Sequence, residues 1–477
     1  MKKSLFIIFL IFCPSLIHAT WTDFYMVTSG SDTSSGSTSD AVAPVATTNG
    51  SWAQGVNTAR FIAASGTPFA STTVGQWASI CYDTSTCAVF IASVTNVVSN
   101  TTIDVDTITF KYGIVPIAKS TARTCKIGGA WQSLTIGTAG NAFGQGTLPL
   151  STRVNIQAGT YAIAGVSKSI GIVGTTLLPL WFRGYKNTPG DEEGNFNPNF
   201  GTDIPQITSS GGRFITATNG FDIVSNLSFL GNLNNTVVAA NSLSILYQCF
   251  IENQNAGASA GAVTTQSNVK ILQTWMKCDG TAGSCISATS ASQNHFLGNM
   301  IIGGSNGINT SSNGNFDVEG NIFVSQNGDG IVWSQDTGWV KNNTFYGQTG
   351  NGINLTSLNT NNSQIENNYC ENITGASKAC INNTSGANTF YVTLAGNSFY
   401  NCTSGYSGFT ENFYVSDIGQ LNQSGLRNAS GNDFTPNSNI WNSAIPTSFP
   451  NTNVFKSYLA VGGVQNQNPG GAYSVSQ

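Results

Sequence analysis

A polar residue recurs through the second half of the chain inside a fixed apolar frame, and no other feature limits the fold so tightly. Six segments align on Gln248, Asn299, Asn321, Asn343, Asn368 and Asn397. Three positions before these anchors stand Ile245, Phe296, Val318, Val340, Ile365 and Leu394. Two positions after them stand Phe250, Ile301, Phe323, Phe345, Cys370 and Phe399. From Asn299 onward the steps are 22, 22, 25 and 29 residues, and the 51 residues from Gln248 to Asn299 fit two coils, one of them centred near Gln273. A second inward mark follows as Gly307-Ile308, Gly330-Ile331 and Gly352-Ile353. Side chains alternate across a strand, so a constant apolar–polar register defines an inside and an outside. A unit this short, with no helical period, cannot bury its apolar face alone, whereas stacked units can. The anchor asparagine fits an inward bend where its amide bonds the next asparagine and the turn backbone, an Asn ladder that leaves few buried polar groups unmet. The leucine framework of a leucine-rich repeat is missing, and a propeller blade needs about forty residues. The pattern predicts an all-β chain folded as a right-handed parallel β-helix, a solenoid.

Composition narrows the function. Only 8% of residues are charged, against roughly 25% in ordinary globular chains, and Asn, Ser, Thr and Gly take their place. Uncharged hydrogen-bonding side chains suit stacked coils. A net charge of −4 gives no basic field, which argues against nucleic acid as a partner. Lys2 and Lys3 precede an apolar run from Leu5 to Ile17, broken by Pro14 and closed by Ala19. This reads as a secretory signal, so the expectation is a secreted, extracellular protein with no membrane insertion after its removal. Export makes local disulfides plausible between Cys81 and Cys87, Cys278 and Cys285, and Cys370 and Cys380, with burial as small apolar residues the open alternative. Cys125, Cys249 and Cys402 are left over.

The chain divides on this reading into a signal peptide (1–19), a first strand and linker (20–58), a small β domain or insertion (59–145), an N-terminal cap with first coils (146–220), regular coils (221–430) and a C-terminal tail (431–477). Pro446, Pro450 and a Gly/Gln-rich end give the tail its character.

Several stretches resemble the pectate-lyase-like superfamily of right-handed β-helix proteins. The opening from Phe24 to Gly36 is similar to the first strand and Gly-Ser-Asp turn of secreted members. Gly159-Thr160-Tyr161 looks like the close of a first coil, and Phe182-Arg183-Gly184-Tyr185 through Pro189-Gly190-Asp191 like the strand before the regular coils. The segment from Ala59-Arg60-Phe61 to Cys125-Lys126-Ile127-Gly128-Gly129-Ala130-Trp131 is similar to a module of phage-borne β-helix proteins. The resemblance implies the fold strongly and a reaction weakly, since lyases, hydrolases, adhesins and trimeric tailspikes share it. Calcium-dependent lyases of the superfamily use an Arg or Lys base beside clustered aspartates, yet no arginine lies between Arg213 and Arg427, and only Lys270, Lys277, Lys341 and Lys378 could serve. Polygalacturonase-like members use paired aspartates and a His-Gly motif, whereas His295 is followed by Phe296. Asn327-Gly328-Asp329-Gly330 reads as an ordinary turn before Ile331.

The same register predicts what faces water. Four before the anchors stand Ser244, His295, Asp317, Trp339, Gln364 and Thr393; two before stand Leu246, Leu297, Glu319, Lys341, Glu366 and Ala395. His295, Asp317 and Trp339 are expected in one row, with Glu319, Lys341 and Glu366 beside it. Trp339 offers a pyranose ring an apolar face, and His295 and Gln364 offer hydrogen bonds. Asp317, Glu319 and Glu366 are candidate acid/base carboxylates and Lys341 a candidate lyase base. A charge ladder that only solubilises the sheet is the alternative. No metal site is expected, and no cofactor; calcium at Asp279, Asp317 or Asp329 with loop carbonyls is allowed by nothing more than residue type. The protein is expected to be extracellular, at a cell surface or on a phage virion, with a surface polysaccharide as partner bound in the adhesin or tailspike manner and a homotrimer left open. A polysaccharide lyase or glycoside hydrolase, and a purely structural surface protein, are the alternatives.

Overall fold

The structure is a computed structural model describing residues 21–436 apart from 33, 48, 55–57, 82–88, 107–122, 134–150, 164–166, 170–178, 192–199, 217–219, 258–260, 289–292, 311–313, 335–336, 358–362, 386–391, 410–413, 416–418, 422, 425 and 429–432. The expected signal peptide, the Cys81–Cys87 loop and residues 437–477 lie outside the described residues.

The chain is a parallel β-helix carrying an antiparallel domain, and the described residues contain no helix. Three parallel sheets of 12, 11 and 10 strands run its length, each coil giving one strand to each in turn; we name them sheets 1, 2 and 3. Across sheet 1, Val224, Leu246, Ile271, Phe296, Val318, Val340, Ile365 and Leu394 follow one another in register. None of the eight is more than 1% exposed. In sheet 2 the inward column runs Phe229, Ile251, Met276, Ile301, Phe323, Phe345, Cys370, Phe399. In sheet 3 it runs Ile286, Ile308, Ile331, Ile353, Ile381. Full burial of one such side chain is worth about 1.5–3 kcal/mol. Each coil therefore holds the next chiefly through these columns.

The corner between sheets 1 and 2 is equally regular. Asn226, Gln248, Gln273, Gly298, Gly320, Asn342, Asn367 and Gly396 all sit in the left-handed region, at φ between 48° and 66°. Gly and Asn tolerate that conformation best. The next residue turns inward, and from Asn299 on it is asparagine. Asn299 Nδ2 donates to Asn321 Oδ1 at 2.9 Å, Asn321 Nδ2 to Asn343 Oδ1 at 3.0 Å, Asn343 Nδ2 to Asn368 Oδ1 at 3.0 Å and Asn368 Nδ2 to Asn397 Oδ1 at 3.1 Å. Backbone N–H groups of Asn299, Asn321, Asn343 and Asn368 donate to the same oxygens.

The register read from sequence fails by one residue at its first segment. The inward corner residue there is Cys249, not Gln248, and in the following coil it is Thr274, not Gln273. Leu246 and Ser244 are fully buried, whereas Ile245, Tyr247 and Phe250 point outward. A single-residue shift exchanges the two faces of a strand, which corrects both outward columns at that coil and nowhere later.

The first strand, Thr22–Met26, pairs in parallel with Thr152–Gln157 in sheet 1. Between them is inserted a seven-stranded sheet, built around Phe61, Phe69, Ile103, Val105 and Cys125. It takes in Val45–Thr47 and Gly50–Gln54, part of the stretch read as linker. Trp131 returns the chain to the helix, its ring stacked on Phe24 at 5.3 Å. At the other end, Leu421 and Leu426 pack on outward residues of sheet 2, including Ile322, Val324 and Tyr369. Asp433–Pro436, at the start of the expected tail, pairs as a strand with Leu426–Asn428.

Cys278–Cys285 and Cys370–Cys380 are disulfides, each with a Cα separation of 5.7 Å, and Cys125, Cys249 and Cys402 are free thiols. Cys278–Cys285 ties the end of one sheet 2 strand to the start of the next sheet 3 strand. Replacing both cysteines by alanine is expected to cost about 2 kcal/mol through unfolded-chain entropy. Thermal melting of the variant against the wild type, in the absence of reductant, checks this; equal midpoints would deny the bridge a stabilising role.

Candidate active site on the outer face of sheet 1

Four neighbouring strands, Asn294–Leu297, Asn315–Glu319, Thr337–Lys341 and Ser363–Glu366, carry every site residue read from sequence. Their pairing sets His295 beside Asp317, Asp317 beside Trp339 and Trp339 beside Gln364. The adjacent row sets Leu297 beside Glu319, Glu319 beside Lys341 and Lys341 beside Glu366. The inward columns of Phe296, Val318, Val340 and Ile365 fix both rows outward, because the residues flanking an inward position must face the other way.

The rows are cross-linked. His295 Nδ1 meets Asp317 Oδ2 at 2.7 Å. Lys341 Nζ donates to Gln364 Oε1 at 2.7 Å and meets Glu366 Oε2 at 3.1 Å, and it sits 5.4 Å from the Trp339 ring centroid. Trp339 is 36% exposed. Asp317 is largely buried, and its Oδ1 has no hydrogen-bond partner among the described residues. A buried acceptor left so costs about 1–3 kcal/mol, a cost that a structural charge ladder gives no reason to carry.

Glu319 is the residue whose chemistry is most altered. Burial pushes its carboxyl up to about 7; the Lys341 ammonium opposes this, the Asp317 carboxylate adds to it, and the hydrogen bond with Trp339 opposes it. Near neutral pH it is therefore a carboxylic acid still able to give up its proton, with a second carboxylate two residues along the strand. Two outward residues on one strand have Cα atoms about 6.6 Å apart. Environments that distinguish two neighbouring carboxyls are how acid and base roles are divided.

The aspartates considered for calcium do not form a cluster. Asp279 pairs with Lys277 at 3.2 Å, and Asp329 accepts from Asn351 Nδ2 at 2.9 Å and Asn354 Nδ2 at 2.8 Å. Among the described residues no group of three or more His, Cys, Asp or Glu side chains is placed to hold a metal. Asn327-Gly328-Asp329-Gly330 is a turn leading into Ile331, as read.

Lys270, which the sequence offers only as one of four lysines able to serve as a base, takes a place in the first row beside His295 and is exposed. The register slip hid that place, since the coil around Gln273 was not aligned.

No family model and no curated protein matches the chain. Among solved structures, it is similar to a mannuronic-acid-specific family 6 polysaccharide lyase from human gut microbiota (12% identity, 59% of this chain and 80% of that one, TM-score 0.37). It is also similar to a family 6 alginate lyase (14%, 61% and 53%, 0.31) and to the catalytic unit of a family 87 α-1,3-glucanase from Streptomyces thermodiastaticus (11%, 80% and 88%, 0.30).

Proposed function

We propose that this protein is an extracellular β-helix protein of the pectate-lyase-like kind that binds a polysaccharide on the outer face of sheet 1 and hydrolyses it there. Recognition of a glycan is what the row of His295, Trp339 and Gln364 is suited to; cleavage is what Glu319 adds. The observation that carries the reading is a half-buried glutamic acid protonated up to about pH 7 beside a second carboxylate and an exposed indole.

In this reading a sugar ring lies against Trp339. Glu319 gives its proton to the glycosidic oxygen as the carbon–oxygen bond breaks. Asp317, oriented by His295, takes a proton from the water that forms the new bond at the sugar carbon. One water is consumed and one reducing end appears; the proton taken by Asp317 passes through solvent back to Glu319, which restores both carboxyls. Lys341 is engaged by Gln364 and Glu366, so its role is to hold hydroxyls and steady the Trp339 ring, not to act as a lyase base.

A glycan array, followed by reducing-end and unsaturated-product assays on the polysaccharides bound, tests this. New reducing ends without unsaturated product are expected. Binding without any product would leave an adhesin or tailspike-like role, and unsaturated product would transfer the chemistry to elimination. Trp339→Ala is expected to weaken glycan binding about tenfold, read by affinity electrophoresis; unchanged binding would remove the indole from the site.

A further inference from the structure

The two outward rows do not end at His295. Followed towards the N-terminus, the first runs through Lys270, Ile245, Ile223 and Trp181 to Arg153. The second runs through Leu272, Tyr247 and Ser225 to Arg183 and Asn155. At that far end, two of the chain's six arginines meet one indole. The Arg153 guanidinium lies 5.7 Å from the Trp181 ring centroid and 6.0 Å from that of Trp21, and Arg183 lies 5.2 Å from Trp181. The two indoles pack edge to face at 5.7 Å. Trp181 Nε1 donates to Ser225 Oγ at 2.8 Å, which fixes its ring along the row.

Arg153 is held rigidly. Its Nε and Nη2 donate to the two oxygens of Asp23 at 2.7 and 2.9 Å. Asn155 Nδ2 donates to the same carboxylate at 2.8 Å and offers its own oxygen to Arg183 at 2.9 Å. The clamp engages one edge of the Arg153 guanidinium and leaves Nη1, with two N–H donors, directed elsewhere on a side chain still 22% exposed. Two cations against one anion leave this end positive. Lys270, three coil steps beyond Trp181, is exposed and makes no ion pair among the described residues. Between them the floor is uncharged: Ile223, Ile245, Tyr247 and Leu272.

We propose that this N-terminal cluster is a second glycan-binding subsite, an anchor for an anionic substituent (carboxylate or sulfate) of the same polysaccharide that Trp339 and Glu319 engage. The proposal rests on the reading of sheet 1 as the glycan-binding face. Trp181 and Trp339 stand in one row, six coil steps apart, about 29 Å at the spacing of stacked strands. A ligand lying along the helix axis crosses Arg153 Nη1, then Lys270, before it reaches the carboxyls. A guanidinium fixed on one edge recognises an oxyanion with its other at little entropic cost. Affinity then grows with chain length until both ends are spanned, and the charge of the substituent enters through the anchor and Lys270 while the cleavage site remains indifferent to it.

The test uses the full chain with polygalacturonate, dextran sulfate and unmodified dextran as probes, in affinity electrophoresis at two salt concentrations. Arg153→Gln is expected to weaken binding of the charged probe about tenfold and to flatten its salt dependence, leaving dextran binding unchanged. Which charged probe binds wild type more tightly separates carboxylate from sulfate. Should Arg153→Gln lower the melting temperature, Lys270→Gln, at an exposed position, carries the same expectation at about twofold to threefold. If both variants bind every probe as wild type does while Trp339→Ala loses binding, the anchor is overturned and the Trp339 site stands. If Arg153→Gln alone loses charged-probe binding, the anchor stands without that site. If wild type binds no probe, both are overturned.

Discussion

Replacing Glu319 by glutamine is expected to lower glycan cleavage by about a thousandfold, the scale of a lost general acid, and to stabilise the fold at pH 8. The two effects have one cause. Burial holds the Glu319 proton up to about pH 7, against an ordinary value of 4.5. Between those values the unfolded chain has released a proton that the native protein keeps, so wild-type stability falls as pH rises. The loss is complete once the native carboxyl ionises, and it amounts to about 3 kcal/mol. Below pH 4.5 both states are protonated and no penalty is present. Glutamine is neutral throughout, so Glu319→Gln should melt close to wild type at pH 4 and above it at pH 8. Activity follows the same proton: wild-type cleavage declines as pH rises through about 7, where the acid form disappears. Circular-dichroism melts at the two pH values and a pH–rate profile supply the check. An inactive variant that melts like wild type at both would detach the activity from a buried carboxyl, and full activity would end the catalytic reading.

The second large effect lies in the corner column. Asn343→Ala is expected to cost about 4 kcal/mol, because several buried groups lose partners together, at about 1–3 kcal/mol each. Asn343 Oδ1 accepts both the backbone N–H and the side-chain amide of Asn321, at 2.9 and 3.0 Å. Its own amide reaches Val318 O at 2.9 Å and Asn368 Oδ1 at 3.0 Å. Alanine leaves two donors of Asn321 unmet in a fully buried corner and takes the side-chain donor from the Val318 carbonyl. In stacked repeats the damage should centre on the mutated coil and its neighbours. Urea melts give the total, and amide hydrogen exchange shows whether protection falls first around Val318 and Val340. A loss under 1 kcal/mol would mean that the column contributes packing alone. The site shares this scaffold, since Asp317 and Glu319 flank Val318, so a loosened coil is also expected to reduce cleavage at temperatures well below the melt.

The register was legible wherever the corner residue is asparagine. From Asn299 on, the chain itself separates inward Phe296, Val318, Val340 and Ile365 from outward Asp317, Glu319, Trp339 and Lys341, because a strand has only two faces. It misled at Gln248 for a physical reason. In later coils the left-handed position before the corner is glycine or asparagine, whereas Gln248 and Gln273 occupy it earlier, bonded to each other at 3.1 Å. Cys249 and Thr274 fill the inward corner there, and a polar glutamine one residue earlier imitates an anchor.

Sequence alone determined the solenoid and the two outward rows from His295 onward, since both follow from a period and an alternation that any stacked coil must obey. Tertiary structure alone decided which carboxyl keeps its proton and which arginine meets which indole. Glu319 keeps its proton because the folded sheet buries its carboxyl, and Asp23 clamps Arg153 from 130 positions away, across an inserted domain. Desolvation and charge act through space, and neither leaves a periodic trace along the chain.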